Sequence, residues 1–457
     1  MTEYTPLSEE IIRHITDAVA PARVIRDPEK LADLGKDASD IMHLPELCVE
    51  ITSAGQAAAL LELANQYRFP VTPRGLGTGL AGGSVPVHGG VVLSLARMNR
   101  ILDIEERNMI AIVEPGVLTL DLKETVRARG LFYPPDPASY DTCSIGGNAA
   151  TNAGGPACVK YGTTREYVLG IEAVLPTGKI ITAGVRTRKG VVGYDLLHLL
   201  VGSEGTLGII TKLILRLIPY PPAVSTLVAF FPALTTAMDA VSAVMSKGHV
   251  PSAIEFLDRH CLQLVGDMLP FAEAREAQAF LLIETDGMPE AVTAEIEAIG
   301  HICLDRGALN VIMAPDSLKR TRMWEIRRAV SLRIEESAPV SIPEDIVVPI
   351  GRIAEFADSL PAFEGAHGVD VYSFGHAGDG NIHLIINGTA REPVDRCIEA
   401  LLKKVLAMNG TISGEHGIGR GKRRYLSLEL SPESIRLQRE IKHIFDPLNI
   451  LNPGKIF

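Results

Sequence analysis

The stretch Pro73-Arg74-Gly75-Leu76-Gly77-Thr78-Gly79-Leu80-Ala81-Gly82-Gly83 places five glycines in eleven residues. Glycine permits positive φ and lets backbone N–H groups come close to an anion. The run therefore reads as a pyrophosphate cradle. It is not read as the dinucleotide fingerprint G-x-G-x-x-G, which should sit between a strand and a helix in a βαβ unit, and no Gly-Lys-Ser/Thr follows it to make a Walker loop. A second block follows: Pro135-Asp136, Ser139, Cys143-Ser144-Ile145-Gly146-Gly147, Asn152-Ala153-Gly154-Gly155 and Tyr161-Gly162. A third is Gly202-Ser203-Glu204-Gly205-Thr206-Leu207-Gly208-Ile209-Ile210. One glycine loop is as readily a tight turn as a binding site. Three in succession, two carrying carboxamide or hydroxyl groups, point to one large cofactor.

Around these blocks the pattern alternates short strands and helices. Strand signals fall at 49–51, 69–71, 90–95, 110–114, 168–184 and 210–217. Ser53-x-x-Gln56 has the form of a capping box opening a helix. Residues 7–36 read as a polar helical cover. The prolines Pro219, Pro221 and Pro222 suggest a boundary. Beyond it, strand-like runs (226–231, 279–284, 347–350, 382–386) alternate with helical runs (234–247, 290–306, 391–408), as in an antiparallel sheet with helices on one face. The expected class is α+β. Its parts are a first domain at 1–220, a cap at 221–410 and a C-terminal segment at 411–457 that returns to the first domain. In that segment 432–445 reads as a helix with an apolar stripe at Leu437, Ile441, Ile444 and Phe445.

Composition excludes several classes. A net charge of −11 and aromatics at only 5% leave neither the basic stripe nor the stacking platforms that nucleic acid requires. The six cysteines contain no C-x-x-C pair, so an iron–sulfur cluster is not expected, and reduced thiols fit a cytoplasmic setting. The early acids in MTEYTPLSEEIIRH argue against a signal peptide. No run reaches the ~20 apolar residues of a transmembrane helix.

The chemistry concentrates late in the chain, in Ser373-Phe374-Gly375-His376-Ala377-Gly378-Asp379-Gly380-Asn381-Ile382-His383 and Ser413-Gly414-Glu415-His416-Gly417. His376, His383 and Glu415 form a two-histidine, one-carboxylate set suited to Zn, Mn or Fe, with positions left open for substrate. Asp379 suits either a turn or a hydrogen bond to a ligating imidazole. His416, directly after Glu415, can act as a base on the same substrate. Arg327, in Met323-Trp324-Glu325-Ile326-Arg327-Arg328, can grip a carboxylate bidentately or lie on a solvated helix face.

The order of these blocks resembles the vanillyl-alcohol oxidase / p-cresol methylhydroxylase superfamily. Within it the chain is similar to the branch that holds D-lactate dehydrogenases, the flavin-binding chain of glycolate oxidase and D-2-hydroxyglutarate dehydrogenases. The likeness runs from about residue 40 to the C-terminus on the motifs quoted above. It implies a two-subdomain FAD-binding domain of the p-cresol methylhydroxylase type, an α+β cap, and a helical return segment. Arg74, Gly75, Gly77, Thr78, Gly79, Gly82 and Gly83 would wrap the FAD diphosphate. Residues 135–155 would line the ribityl chain and ring, with Tyr161 and Gly162 beside them. Glu204, Gly205, Gly208, Ile209 and Ile210 would meet the adenine end, and Asn452 would close back onto the flavin. Some relatives tether flavin through a histidine in the first loop. Here that loop carries Thr78 and Leu80, which implies non-covalent FAD.

The resemblance further implies a divalent metal on His376, His383 and Glu415, and His416 as the base that takes the hydroxyl proton of a D-2-hydroxy acid. The 2-hydroxyglutarate pattern has a lysine shortly before the next strand, and residues 334–349 contain none. A small monocarboxylate such as lactate or glycolate is therefore expected ahead of a dicarboxylate. Without cluster cysteines, electrons must pass to a separate acceptor: an electron-transfer flavoprotein or an iron–sulfur, quinone-linked subunit. Such a subunit could hold the chain at a membrane periphery, and a homodimer stays open. The rival reading is a non-catalytic flavin-holding or electron-relay subunit of a larger complex.

Overall fold

The computed structural model describes residues 4–269, 272–314 and 316–457. The chain divides into two compact units. The first comprises 1–154, 163–220 and 415–457, and the second comprises 155–162 and 221–414.

The first unit holds two main sheets, as the expected two-subdomain domain requires. One has four strands in the order Arg23–Ile25, Leu47–Glu50, Val91–Ser94, Val71–Arg74. The last three run parallel. Helices Glu9–Ala18 and Ala54–Tyr67 close one face, burying Ile15, Leu60, Leu61 and Phe69 against Leu47, Val49, Val91 and Leu93. The capping signal holds in part. Ser53 Oγ accepts from Gln56 N, while Gln56 Oε1 accepts from Thr52 N, one residue earlier than a full capping box. The other sheet is antiparallel, in the order Ile101–Glu105, Ile110–Val113, Ile209–Arg216, Val168–Val174, Ile180–Gly184.

The second unit is built on one seven-stranded antiparallel sheet. Its order is Asn310–Met313, Ala223–Phe231, Ala279–Gly287, Ala253–Asp258, Asp370–His376, Asn381–Gly388, Val340–Val347. Phe230, Leu257, Phe280, Leu282, Phe374 and Ile385 pack with Met323, Ile326, Val330 and Ile334 of helix Ser317–Glu335 into one core cluster.

Two local expectations differ from the fold. The strand read at 347–350 ends at Val347 and begins at Val340. Its Pro343 is tolerated because the strand lies at a sheet edge. Helix Pro432–Phe445 forms where expected, yet it buries no residue, and Ile444 is 74% exposed. A 3.6-residue apolar period reports the helix, not whether a neighbour covers the stripe.

Candidate active site

The site residues of the second unit share one face of its sheet. His376 pairs with Glu255 on one side and Asn381 on the other, while His383 pairs with Phe374 and Asp345. His376 and His383 are therefore diagonal neighbours on the same face. Their rings meet edge to face at 5.0 Å between centroids, with the two Nε2 atoms 3.2 Å apart. The turn between them depends on glycine. Gly380 has φ +86°, and a Cβ there would sit 2.1 Å from the Val348 carbonyl oxygen. Within this turn Asp379 accepts from Asn381 N at 3.1 Å.

Glu255 is the residue that sequence reasoning missed. Its side chain is fully buried, and its carboxylate lies 2.5 Å from His376 Nδ1 while accepting from Arg327 Nε at 2.8 Å. Burial pushes this carboxyl up. The opposing charges of His376 and Arg327, with the imidazole hydrogen bond, outweigh burial and hold it below its ordinary value. The contact also directs His376 Nε2 toward His383. No local motif marks Glu255, which lies 121 residues before His376.

Arg327 is 8% exposed and rests 4.8 Å over the Phe374 ring. Among the described residues only its Nε is hydrogen-bonded, so the forked end of the guanidinium is unengaged. Its helix is pinned by a second buried carboxylate, Glu284, which accepts from Arg320 Nε, Trp324 Nε1 and Thr226 Oγ1.

Asp345, also fully buried, anchors the other segment. It accepts from Gly414 N at 2.7 Å and from Ser413 Oγ. The next residue, Glu415, is thereby fixed. Ligand atoms of His376, His383 and Glu415 all lie within 4.8 Å of one another. Two imidazoles and a carboxylate at that spacing fit a divalent cation. The Asn381 side-chain oxygen, in register with His376, is buried without a hydrogen-bond partner among the described residues. His416 follows Glu415 and is half-buried.

The glycine blocks of the first unit are joined to one another. Gly77 has φ +74°, and a Cβ there would lie 2.0 Å from Arg74 Nη2, so the arginine curls under the loop. Arg74 donates to the Lys36 carbonyl and to Ser84 Oγ. A Cβ on Gly75 would meet Ser144 Oγ at 2.6 Å, which seats the first loop on the cap of helix Ile145–Thr151. Gly146 and Gly147 open that helix, and Cys143 contacts Thr119 Oγ1 at 3.2 Å. Asn152 adopts φ +54° at its C-cap and accepts from Thr163 Oγ1 and Arg165 N. Gly154 abuts Glu415, where a Cβ would lie 2.8 Å from Oε1. At Gly75, Gly77 and Gly154 the chain packs so closely on its own neighbouring groups that no side chain fits.

The other expected cofactor residues also make contacts within the chain. Both Glu204 carboxylate oxygens accept backbone N–H groups of the return segment, from Ile418 and Gly419 at 2.9 and 2.7 Å. Burial raises this carboxyl despite those bonds. Asn452 Nδ2 donates to the carbonyls of Gly83 and Glu204, bridging the first and third blocks. Gly205 takes φ +67° against Pro73, and Ile209 and Ile210 enter a buried strand just after Gly208. Tyr161 OH donates to Asp286 Oδ2 at 2.8 Å within the second unit. Pro135 is buried; Asp136 and Ser139 are half-buried.

Residues 220–456 match the model for FAD linked oxidases, C-terminal domain, and residues 45–184 match an FAD binding domain. The chain is 40% identical to a glycolate oxidase subunit GlcD of Bacillus subtilis, over 91% of this chain and 89% of that one. It is 38% identical to a D-lactate dehydrogenase of Anaerostipes hadrus, over 99% and 98%. A substrate-bound p-cresol methylhydroxylase has the same fold at TM-score 0.82 and 18% identity, covering 99% of this chain and 98% of that one. No described helix is long and apolar enough to cross a membrane. With both family models matched and relatives of 38–40% identity covered almost end to end, the chain belongs to the FAD-linked oxidases and is an FAD-binding oxidoreductase of the D-lactate dehydrogenase / glycolate oxidase type.

Proposed function

We propose that the protein oxidises a small D-2-hydroxy acid, of lactate or glycolate size, to the 2-oxo acid, using non-covalent FAD and a divalent cation (Zn, Mn or Fe). The observation that carries this reading is the convergence of His376, His383 and Glu415, with Glu415 lying against Gly154 of the second glycine block. When bound, FAD supplies the two-electron acceptor and the cation supplies a Lewis acid for the hydroxyl. His416 takes the hydroxyl proton on an imidazole nitrogen, as that group can near neutral pH. The unengaged end of Arg327 receives the substrate carboxylate in a bidentate grip. The loop at 75–83 offers no His, Cys or Tyr for a flavin tether. All six cysteines are free and five are buried, so electrons leave to a separate acceptor, an electron-transfer flavoprotein or an iron–sulfur, quinone-linked subunit. Free thiols also fit a reducing, cytoplasmic compartment.

The test is anaerobic mixing of the FAD-loaded protein with D- and L-lactate, glycolate and D-2-hydroxyglutarate, with and without a chelator. Flavin bleaching by a small D-2-hydroxy acid or glycolate, suppressed by the chelator, is expected. Bleaching by none of them would favour a flavin-holding subunit. Bleaching that ignores the chelator would remove the metal.

A further inference from the structure

Apolar exposure in the first unit gathers at one place. Residues 179–194, Lys-Ile-Ile-Thr-Ala-Gly-Val-Arg-Thr-Arg-Lys-Gly-Val-Val-Gly-Tyr, contain four cations and no acid, in a chain of net charge −11. The segment comprises the edge strand Ile180–Gly184 and the loop after it. Every residue from Gly184 to Leu196 is exposed. Val191 and Val192 are each 97% exposed and Tyr194 is 96% exposed. Ile180, Val185, Leu196 and Leu199 are exposed in the same stretch. The Val-Val tip sits between Gly190 and Gly193, and a Cβ on Gly193 (φ +78°) would meet nothing within 4 Å. Asp195 ends the loop by capping helix Leu196–Leu200 through His198 N. Arg186 is paired with Glu105, whereas Arg188 and Lys189 have no ion pair among the described residues.

Cations beside an edge strand can serve merely to block strand addition. That role needs no valine or tyrosine, and three almost wholly exposed apolar side chains are a cost that edge protection does not explain. A groove or flat patch would suit a shaped protein partner. This feature is a projecting tip, which a bilayer interface accommodates without shape complementarity. Short apolar side chains enter the acyl boundary, a tyrosine sits at headgroup level, and adjacent Arg and Lys meet anionic lipid. Interfacial binding strengthens with both buried apolar area and electrostatic attraction to anionic lipid, and this loop offers both. We propose that the loop at 185–196 docks the protein onto an anionic membrane surface, with Val191, Val192 and Tyr194 inserted and Arg188 and Lys189 on the headgroups. The docking is independent of the substrate reading.

The experiment is co-sedimentation of the full-length, FAD-loaded protein with vesicles at low salt. Wild type is expected to pellet with mixed phosphatidylglycerol–phosphatidylcholine vesicles and to stay in solution with pure phosphatidylcholine. The triple variant Val191→Ser/Val192→Ser/Tyr194→Ser and the double variant Arg188→Glu/Lys189→Glu should each weaken binding roughly ten-fold or more, with flavin content and melting temperature unchanged. Undiminished pelleting of the triple variant would overturn the proposal. So would a wild type that ignores anionic vesicles, including one whose loop instead drives self-association that the triple variant abolishes in size-exclusion chromatography.

Discussion

The glycine loop at 73–83 and the hairpin formed by Asp370–His376 and Asn381–Gly388 are built by opposite means. The loop works through what is missing. Positive φ at Gly77 and the lack of a Cβ let the backbone pass directly against the Arg74 guanidinium. The hairpin works through side chains on regular strands, oriented by buried carboxylates from elsewhere in the sequence. A backbone cradle tolerates change outside its glycines and fails when a side chain is added. A side-chain constellation fails when a donor or its support is removed, while its backbone persists.

The largest expected effect lies on the side-chain half. His416→Asn should lower kcat by ~10²–10⁴-fold, the usual contribution of a positioned base, while FAD and metal content stay normal in absorbance and elemental analysis. Near-normal turnover would take His416 out of that role. Next comes the backbone half. Gly77→Ala puts a Cβ into the Arg74 guanidinium at a positive φ, so the protein should purify largely without flavin yet remain folded by circular dichroism. A fully yellow variant would show that the loop can open without loss.

A smaller effect is expected at the support. Glu255→Gln keeps the shape but removes the charge beside His376 Nδ1 and Arg327 Nε. Loss of an orienting partner typically weakens metal binding by ~10–100-fold. A chelator-competition titration should show that loss, and added metal should recover much of the activity. Unchanged metal affinity would make Glu255 a mere spacer.

A pH dependence is expected in the first unit. Burial lowers the Lys455 ammonium from 10.5 to about 8, although its Nζ donates to the Val85 carbonyl. Between about 8 and 10.5 the unfolded chain still holds the proton that the folded chain has released. Wild-type stability should therefore rise across that window relative to Lys455→Met, by up to ~3 kcal/mol. Paired melting curves at the two ends check the sign.

Much of this was legible in the sequence. The glycine blocks, the helix at 432–445 and the three candidate ligands follow from local spacing, and the cofactor class from the family resemblance that the blocks carry. Local chemistry dictates them: glycine marks positive φ, Ser53 marks a cap, and a 3.6-residue period marks a helix. The roles of Glu255, Asp345 and Glu204 were not legible. Each meets its partners only across strand register or a return of the chain. The bareness of the Pro432–Phe445 stripe was equally hidden, because periodicity carries no information about what lies opposite. The sequence by itself determined which backbone positions could approach a phosphate and which side chains could bind a cation. Only tertiary structure decided which carboxylates are buried beside which cations, because burial and opposite charge, not residue type, set their protonation and aim.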